Sequence, residues 1–343
     1  MRLTLARPDD FHLHLRDGAA LADLVPPVAR RFARALVMPN LDPAVTTVAA
    51  AAAYRERIRA AIPRDCDFHA LMTLYLTEAT PAAEIERAAT SGFVHAAKLY
   101  PAGATTGSAA GVRDVAAIFP LLERMSEAGL VLAIHGELAD PALDPYEREP
   151  RFVAEVLAPL VGRFPELRIV LEHLSTRAAV EFVAAAGPNV AATITAHHLL
   201  CSRTEMFAQG LSPHHFCRPV LQSEADREAL LAAATSGNPK FFLGSDSAPH
   251  PRANKESARA AAGVYTGYAA LELYAEAFAA AGALERLENF ASRFGAGFYR
   301  LPANSGSVVL EETSWQAPGE LPLGAATVVP LGAGERLRFR LAE

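Results

Sequence analysis

The 343-residue sequence has little cysteine, no basic run and no long apolar segment. Its three cysteines, Cys66, Cys201 and Cys217, are scattered and form no Cys-x-x-Cys pair, which argues against a disulfide framework or a thiolate zinc site. A formal charge of -6 without a basic stretch argues against nucleic acid or an anionic membrane as partner. The Ala-rich run 48–53 is too short to span a bilayer, and residues 1–10 lack the apolar core of a secretory signal. We therefore expect a cytoplasmic protein whose partner is a small molecule.

The sequence instead contains short β-like apolar runs that alternate with Ala-rich helical patterns, as in the βα units of a parallel sheet. Eight such runs can be placed, at residues 11–15, 34–40, 67–77, 92–100, 129–136, 168–174, 190–196 and 240–246. Their apolar residues are continuous, which indicates burial on both faces of the sheet. The pattern predicts an α/β fold, a (β/α)8 TIM barrel in one domain over residues 1–343, with a small β-rich appendage at 301–343.

Two histidines stand in the first of these runs. On an extended segment His12 and His14 point to the same face, because side chains alternate along a strand, and Arg16 follows on that face. Two imidazoles so placed can bind one metal ion. A His-x-His pair alone is a weak signal, so the interpretation depends on what the later strands add.

Further polar residues close the later runs, at the strand ends where barrel active sites lie. They are Asn40, Lys98, His135, His173 and Asp246. Each has a simpler explanation: a buried histidine is often hydrogen-bonded in a core, and Asp246 can cap a helix. Their joint occurrence favours a set of nitrogen and oxygen ligands for divalent metal. His197 and His198 follow the seventh run, but adjacent strand residues face opposite ways, so we assign them no metal.

Lys98 is the unusual member of this set, because an ammonium beside two cations is electrostatically unfavourable. A buried lysine loses its proton readily. Addition of CO₂ to the neutral amine gives a carbamate, an anion able to bridge two metal ions. A strand-end lysine that extends its ammonium to water is the alternative explanation.

These residues and the stretches around them resemble the amidohydrolase superfamily, and most closely the family of short bacterial dihydroorotases. The shared stretches cover nearly the whole chain: DFHLHLRDG at 10–18, MPN at 38–40, AKLYP at 97–101, HGE at 135–137, LEHL at 171–174, AHHL at 196–199, GSDSAPH at 244–250, GVYTG at 263–267 and SWQ at 314–316. The resemblance implies reversible, zinc-dependent hydrolysis of the cyclic amide of (S)-dihydroorotate to N-carbamoyl-L-aspartate. That reaction is the third step of de novo pyrimidine biosynthesis.

The resemblance also implies site residues and cofactors. The implied ligands of two Zn²⁺ ions per subunit are His12, His14 and Asp246 for the first ion, His135 and His173 for the second, and carboxylated Lys98 (N6-carboxylysine) as the bridge. Asp246 would act as general base and then as general acid. The family further suggests a homodimer.

The implied substrate carries a carboxylate, which the guanidinium of Arg16 can hold in a fork. The other substrate contacts that the resemblance implies are His14, Asn40, His135, Arg218, His250 and the backbone of Ala262. Arg218 stands where the family commonly has leucine, which contacts the ring through its main chain. Thr105 and Thr106 resemble the tip of a mobile lid, although composition alone would predict a plain connection.

Two alternatives stay open. Another cyclic-amide hydrolase, such as a dihydropyrimidinase, hydantoinase or allantoinase, usually has a β-rich segment before the His-x-His strand, whereas here the motif begins at residue 12. A non-catalytic barrel acting as a scaffold is disfavoured because Lys98 and Asp246 are both present.

Overall fold

The computed structural model describes residues 1–208 and 210–342, and its centre is a sheet of eight parallel strands. A first strand, β1 (Arg2–Ala6), lies outside this sheet. The eight strands are β2 (Asp9–Leu13), β3 (Arg34–Val37), β4 (His69–Tyr75), β5 (Val94–Leu99), β6 (Val131–His135), β7 (Ile169–Glu172), β8 (Val190–Ile194) and β9 (Phe241–Leu243). Each pairs in parallel with the next along the chain.

The first and last of these strands also meet, which nearly closes the sheet into a barrel. Leu13 forms an isolated parallel bridge with Ser247, and the amide of Asp246 donates to the carbonyl of His12 at 2.9 Å. All eight runs predicted from the sequence overlap a strand of the barrel, so the predicted TIM barrel is confirmed.

Helices cover the outside of the barrel. They are α1 (Leu21–Arg31), α2 (Val48–Ala60), α3 (Ala82–Thr90), α4 (Phe119–Ala128), α5 (Arg148–Phe152), α6 (Ala158–Arg163), α7 (Arg177–Ala185), α8 (Ala196–Leu200), α9 (Arg203–Phe207), α10 (Glu224–Ala234), α11 (Arg252–Lys255), α12 (Ala270–Ala280) and α13 (Phe294–Phe298). Several begin at a hydroxyl side chain that accepts a backbone N–H, as Thr47, Thr176 and Ser223 do for α2, α7 and α10. Two π-helical turns, Val153–Leu157 and Asn289–Arg293, and four 3₁₀ turns, Gly18–Ala20, Val115–Ile118, Pro213–His215 and Leu284–Arg286, complete the helical segments of the described residues.

The barrel interior is apolar where the strands begin. Its buried cluster includes Ala96, Ala133 and Val170 from successive strands, with Phe11 stacked on Tyr299 at a centroid distance of 4.7 Å. Because strand side chains alternate, the residues two positions further along β5, β6 and β7 also face inward. The same alternation therefore directs polar side chains near the carboxyl ends of these strands into the barrel interior.

Strand β2 departs from the simple pattern expected of it. The strand ends at Leu13, and its register shifts between Asp10 and Leu13. Phe11 lies in the interior cluster, whereas Leu13 packs in the outer core between strands and helices. Phe11 and Leu13 therefore lie on different faces of the strand, because the shift breaks the strict alternation of side chains.

The appendage contains four strands of the C-terminal segment, β10 (Ser307–Gln316), β11 (Leu321–Leu323), β12 (Ala326–Val328) and β13 (Arg336–Leu341). Strands β11 and β12 form a hairpin. The other two join β1 in an antiparallel sheet of order β1-β10-β13. The N-terminus thus contributes a strand that the sequence did not suggest.

Across the described ranges, no helix combines the length and apolarity needed to cross a membrane.

Candidate metal centre and active site

A cleft of about 360 Å³ lies at the carboxyl ends of the barrel strands. Residues assigned from the sequence to metal, substrate or lid line it together: His12, His14, Arg16, Asn40, Thr105, Thr106, His135, His173, Arg218, Asp246, His250 and Ala262. Lys98 does not line the cleft and is fully buried.

Two histidines and one aspartate form the first half of the centre. The Nε2 atoms of His12 and His14 lie 3.2 Å apart, and Oδ1 of Asp246 lies 3.2 Å from the first and 3.0 Å from the second. Asp246 has φ 43°, in the left-handed region that a non-glycine residue seldom adopts. Such strain is typical of functional sites, and here it accompanies a carboxylate that meets both imidazoles.

Two more histidines form the second half. Nδ1 of His135 lies 3.1 Å from Nε2 of His173, and His173 also has a left-handed φ, of 47°. The rings of His12 and His173 are 5.1 Å apart, so the two halves adjoin. Nδ1 of His173 has no hydrogen-bond partner among the described residues.

The chemistry of these donors fits divalent metal ions. Burial lowers the pKa of His12 and His135, lowers that of His14 to about 4, and holds that of His173 well below its usual value. The imidazoles are therefore neutral near pH 7 and present lone pairs. Ligand atoms of His12, His173 and Asp246 all lie within 4.8 Å of one another. Facing imidazole nitrogens beside a carboxylate are a donor set that a divalent cation satisfies.

Glu172 belongs to this centre although the sequence analysis gave it no role. Its Oε2 contacts Nζ of Lys98 and lies 3.1 Å from Nδ1 of His12. All three side chains are buried. A signal was available: Glu172 stands two positions after the interior Val170, and therefore faces inward.

Lys98 lies under the metal centre, on β5. Burial holds the pKa of its amine well below the usual value, which favours the neutral form. Its neighbour on the inner face is Ala96, whose small side chain leaves the interior below apolar. Burial favours the neutral amine on which carboxylation would depend, whereas the contact with the Glu172 carboxylate favours the ammonium.

Glu137 is a second residue that the sequence analysis left without a role. Its Oε2 accepts a hydrogen bond from Nε2 of His135 at 2.7 Å, and the side chain is buried. A carboxylate in this position fixes which imidazole nitrogen is protonated, so that Nδ1 of His135 is the one available to a metal. Glu137 was visible within the HGE stretch, but no spacing rule marks it as a partner of that histidine.

Arg16 and His250 lie beside the centre. Arg16 donates from Nε to the carbonyl of Pro249 at 2.8 Å, and its Nη2 lies 3.0 Å from Nε2 of His250. The same imidazole nitrogen is 2.9 Å from the carbonyl of Ala262. A single nitrogen cannot accept from Arg16 and donate to Ala262 together, so the tautomer of His250 decides which of the two contacts is a hydrogen bond.

Backbone also approaches this part of the cleft closely. Gly263 has φ 149°, and a Cβ there would lie 2.5 Å from the carbonyl oxygen of Ala248. Only glycine permits this approach, which brings the neighbouring Ala262 into the cleft. Ala262 therefore lines the cleft beside Gly263.

The segment with Thr105 and Thr106 lines the cleft. Nδ2 of Asn40 donates to the carbonyl of Thr106 at 3.1 Å, and Oγ1 of Thr106 lies 3.4 Å from the carbonyl of Ala262. The amide of Thr105 is bonded to Ser108 within the same loop. The loop is thus anchored by two residues that also line the cleft.

Arg218 is half-buried at the edge of the cleft, with its guanidinium 6.0 Å from the centre of the Phe216 ring.

His197 and His198 correct one expectation. They lie on α8 rather than on a strand, and their ring centroids are 4.6 Å apart. Adjacent helical residues diverge by about a quarter turn, so these side chains do not face opposite ways.

Comparison with known proteins agrees with this geometry. The amidohydrolase family pattern matches residues 10–198. The dihydroorotase of Laribacter hongkongensis is 58% identical over 341 residues, which are 99% of each chain. A crystal structure of dihydroorotase from Saccharomyces cerevisiae, in complex with 5-fluoroorotic acid, superposes with TM-score 0.92 at 33% identity, over 99% of this chain and 98% of that one. The dihydroorotase structure from Campylobacter jejuni gives TM-score 0.91 at 36% identity, over 100% and 98%.

These likenesses extend over the full length of the relatives and of this chain. The eight-stranded barrel, the paired histidines at its carboxyl end and the family pattern agree with one another. The chain belongs to the amidohydrolase family and, within it, to the dihydroorotases.

Proposed function

We propose that the cleft hydrolyses the ring amide of (S)-dihydroorotate to N-carbamoyl-L-aspartate, and closes that product into the ring in the biosynthetic direction. The observation that carries the proposal is the position of Arg16, His250 and the Ala262 backbone in the same cleft as Asp246 and the paired histidines. A cation for a substrate carboxylate thus stands beside a hydrolytic centre. The dihydroorotases that resemble the chain over its full length support the same activity.

The ligand set supports a binuclear zinc centre. His12, His14 and Asp246 would hold one ion, His135 and His173 the other, and carboxylated Lys98 would bridge them. When bound, such a metal pair polarises an amide carbonyl and lowers the pKa of water.

The role of Asp246 is to move a proton. Burial would raise the pKa of this carboxyl, but the adjacent imidazoles of His12 and His14 hold it well below its usual range. The carboxylate accepts a proton from the attacking water and returns it to the ring nitrogen as the C–N bond breaks. The water oxygen remains on the former amide carbon, as part of the new carboxylate.

The other residues of the cleft position the substrate. Arg16 holds its carboxylate in a fork, with Asn40, His250 and the Ala262 backbone beside it. His14, His135 and the main chain at Arg218 contact the ring. Thr105 and Thr106 cover the bound substrate, and their contacts to Asn40 and Ala262 support a lid that excludes water.

Three finer features belong to the same proposal. Burial, which holds the pKa of the Lys98 amine well below its usual value, supports carboxylation. A homodimer is inferred from the family resemblance alone. A cytoplasmic location stays a prediction from the sequence, with which the three free thiols agree.

The proposal is tested by assaying the purified protein with dihydroorotate beside dihydrouracil, hydantoin and allantoin. Dihydroorotate is expected to have the highest kcat/KM, because it alone of the four rings offers a carboxylate to Arg16. Preferential hydrolysis of an uncharged ring would overturn the substrate assignment and favour another cyclic-amide hydrolase. Absence of turnover with all four, in protein loaded with zinc, would favour a non-catalytic barrel.

A further inference from the structure

A second group of ligating side chains lies outside the catalytic centre. His197, His198 and Cys217, here named the His–His–Cys cluster, place their nitrogen and sulfur atoms within 4.8 Å of one another. Each of the three residues is at most 2% exposed. The function described above uses none of them.

Two elements bring the cluster together. Thr195 begins α8 by accepting the amide of His198, and this turn places both histidines directly after β8. Cys217 comes from the segment that precedes α10, twenty residues along from His197. The cluster therefore joins the end of one strand to the loop that carries Arg218.

The hydrogen-bond contacts of His198 and Cys217 direct both side chains at the carbonyl of Pro219. Nδ1 of His198 is bonded to Oγ1 of Thr195 at 2.7 Å, which leaves Nε2 for the cluster. That Nε2 lies 3.2 Å from the carbonyl of Pro219 and 4.0 Å from Sγ of Cys217. The thiol lies 3.0 Å from the same carbonyl. Two donors thus share a single acceptor.

His197 provides the independent sign of a ligand. It is completely buried, and neither of its ring nitrogens has a hydrogen-bond partner in the part of the chain that the structure describes. A buried polar group without a partner costs about 1–3 kcal/mol, and native structures contain few of them. The lone pair of this imidazole lies close to a second imidazole and a thiol. A cation bound by all three side chains would give the buried nitrogen a partner.

We propose that the His–His–Cys cluster is a third cation site, for a thiophilic divalent ion such as Zn²⁺, Cd²⁺ or Co²⁺. Typical bonds of about 2.3 Å from zinc to sulfur and about 2.1 Å to nitrogen sum to about 4.4 Å. The separation of 4.0 Å between Sγ of Cys217 and Nε2 of His198 is shorter than that sum. One ion can therefore contact both atoms without either residue moving, while the Pro219 carbonyl lies beside them as a further oxygen donor.

Binding exchanges a proton for the ion. The Cys217 thiol gives up its proton to solvent as the sulfur–metal bond forms. The imidazoles bind in their neutral form, and His198 then carries its proton on Nδ1, which donates to Oγ1 of Thr195 and leaves the lone pair of Nε2 for the ion. The assignment departs from the expectation that scattered cysteines exclude a thiolate site, because a single cysteine suffices when two histidines complete the set. Since Cys217 directly precedes Arg218, an ion held here ties α8 to the main chain at the edge of the catalytic cleft.

The test is a titration of the zinc-loaded enzyme with Co²⁺, followed by near-ultraviolet absorption, where thiolate-to-cobalt charge transfer is seen. The catalytic ligands proposed above include no thiol, so such a band reports a cysteine ligand. We expect a band that saturates at one ion per chain and is absent from Cys217→Ser. In His197→Gln the affinity should fall by about tenfold or more. Cys66→Ser and Cys201→Ser are the matched controls and should keep the band.

A wild-type protein that shows no band in excess Co²⁺ overturns the proposal, and so does a band that persists in Cys217→Ser. Elemental analysis after exposure to Cd²⁺ gives a second measurement that depends on no absorption band. The wild-type chain should retain one more Cd²⁺ than the Cys217→Ser chain, at equal zinc content. Equal Cd²⁺ in the two proteins would contradict the site.

Discussion

Replacing Arg16 by methionine tests whether the cleft recognises its substrate through a carboxylate. The guanidinium is held by a hydrogen bond from Nε to the Pro249 carbonyl at 2.8 Å and by a contact of Nη2 with His250 at 3.0 Å. With Nε occupied, the two terminal nitrogens are those that would form the proposed fork to a substrate carboxylate. Methionine keeps the apolar stem and removes the charge and every donor.

The expected loss of kcat/KM in Arg16→Met follows from the two hydrogen bonds of that fork. A hydrogen bond to a charged group contributes about 1.5–3 kcal/mol, so two contribute about 3–6 kcal/mol. At about 1.4 kcal/mol for each factor of ten, Arg16→Met should lower kcat/KM for dihydroorotate by about 10²- to 10⁴-fold. Arg16→Lys, which retains the charge but not the fork, should lose less.

The assay compares kcat/KM for dihydroorotate with that for dihydrouracil, which lacks the carboxylate and should respond little. Arg57→Met is the matched control, because Arg57 forms an exposed pair with Asp17 at 2.7 Å and lies outside the cleft. Its activity should equal that of the wild type. A kcat/KM for dihydroorotate within about threefold of wild type in Arg16→Met would refute carboxylate recognition by this residue.

Three further substitutions probe the proton carrier, the bridge and a buried acid. Asp246→Asn should retain its metal by elemental analysis but lower kcat by about 10²- to 10⁴-fold, since an amide accepts no proton; near-normal turnover would contradict the proton role. Lys98→Ala should bind fewer than two metal ions per chain, and a full complement would argue against a bridging lysine. Burial raises the pKa of Glu149 to about 8, against hydrogen bonds from Thr176 and Ser175. The folded state therefore holds this proton more tightly than the unfolded state, and the free energy of unfolding should fall as pH rises from about 4.5 to about 8. Glu149→Gln should remove a slope of up to about 1.4 kcal/mol per pH unit in urea unfolding, and an unchanged slope would contradict the shift.

The barrel and the paired histidines could be predicted because they depend on local patterns. Continuous apolar runs of strand length predict buried parallel strands, and a barrel gathers the carboxyl ends of its strands at one mouth. His135 and His173 could therefore be expected to meet without knowledge of any contact. The prediction used only the order of strands and the position of each histidine within its run.

The supporting contacts depend on tertiary geometry and could not be predicted. Glu172 meets Lys98 and His12 because three strands bring inward-facing residues to one level, which a sequence does not specify. The participation of β1 in the appendage depends on pairing across about three hundred positions. The closeness of His197 and His198 was missed because a helical turn follows β8 where an extended segment was assumed.

The contact between β2 and the end of β9 determines when, during synthesis of the chain, the catalytic site can be completed. Asp10 accepts hydrogen bonds from the amide and hydroxyl of Ser245, a residue 235 positions later in the chain. His12 and His14 emerge from the ribosome among the first residues, and Asp246 among the last third. The first metal position is therefore incomplete through most of translation, and a truncated polypeptide ending before Ser245 has no such position at all. His135 and His173, proposed for the second ion, are made before this point. An ion at the proposed first position would therefore be bound only after closure of the barrel, and would mark a chain whose synthesis has passed its final barrel strand.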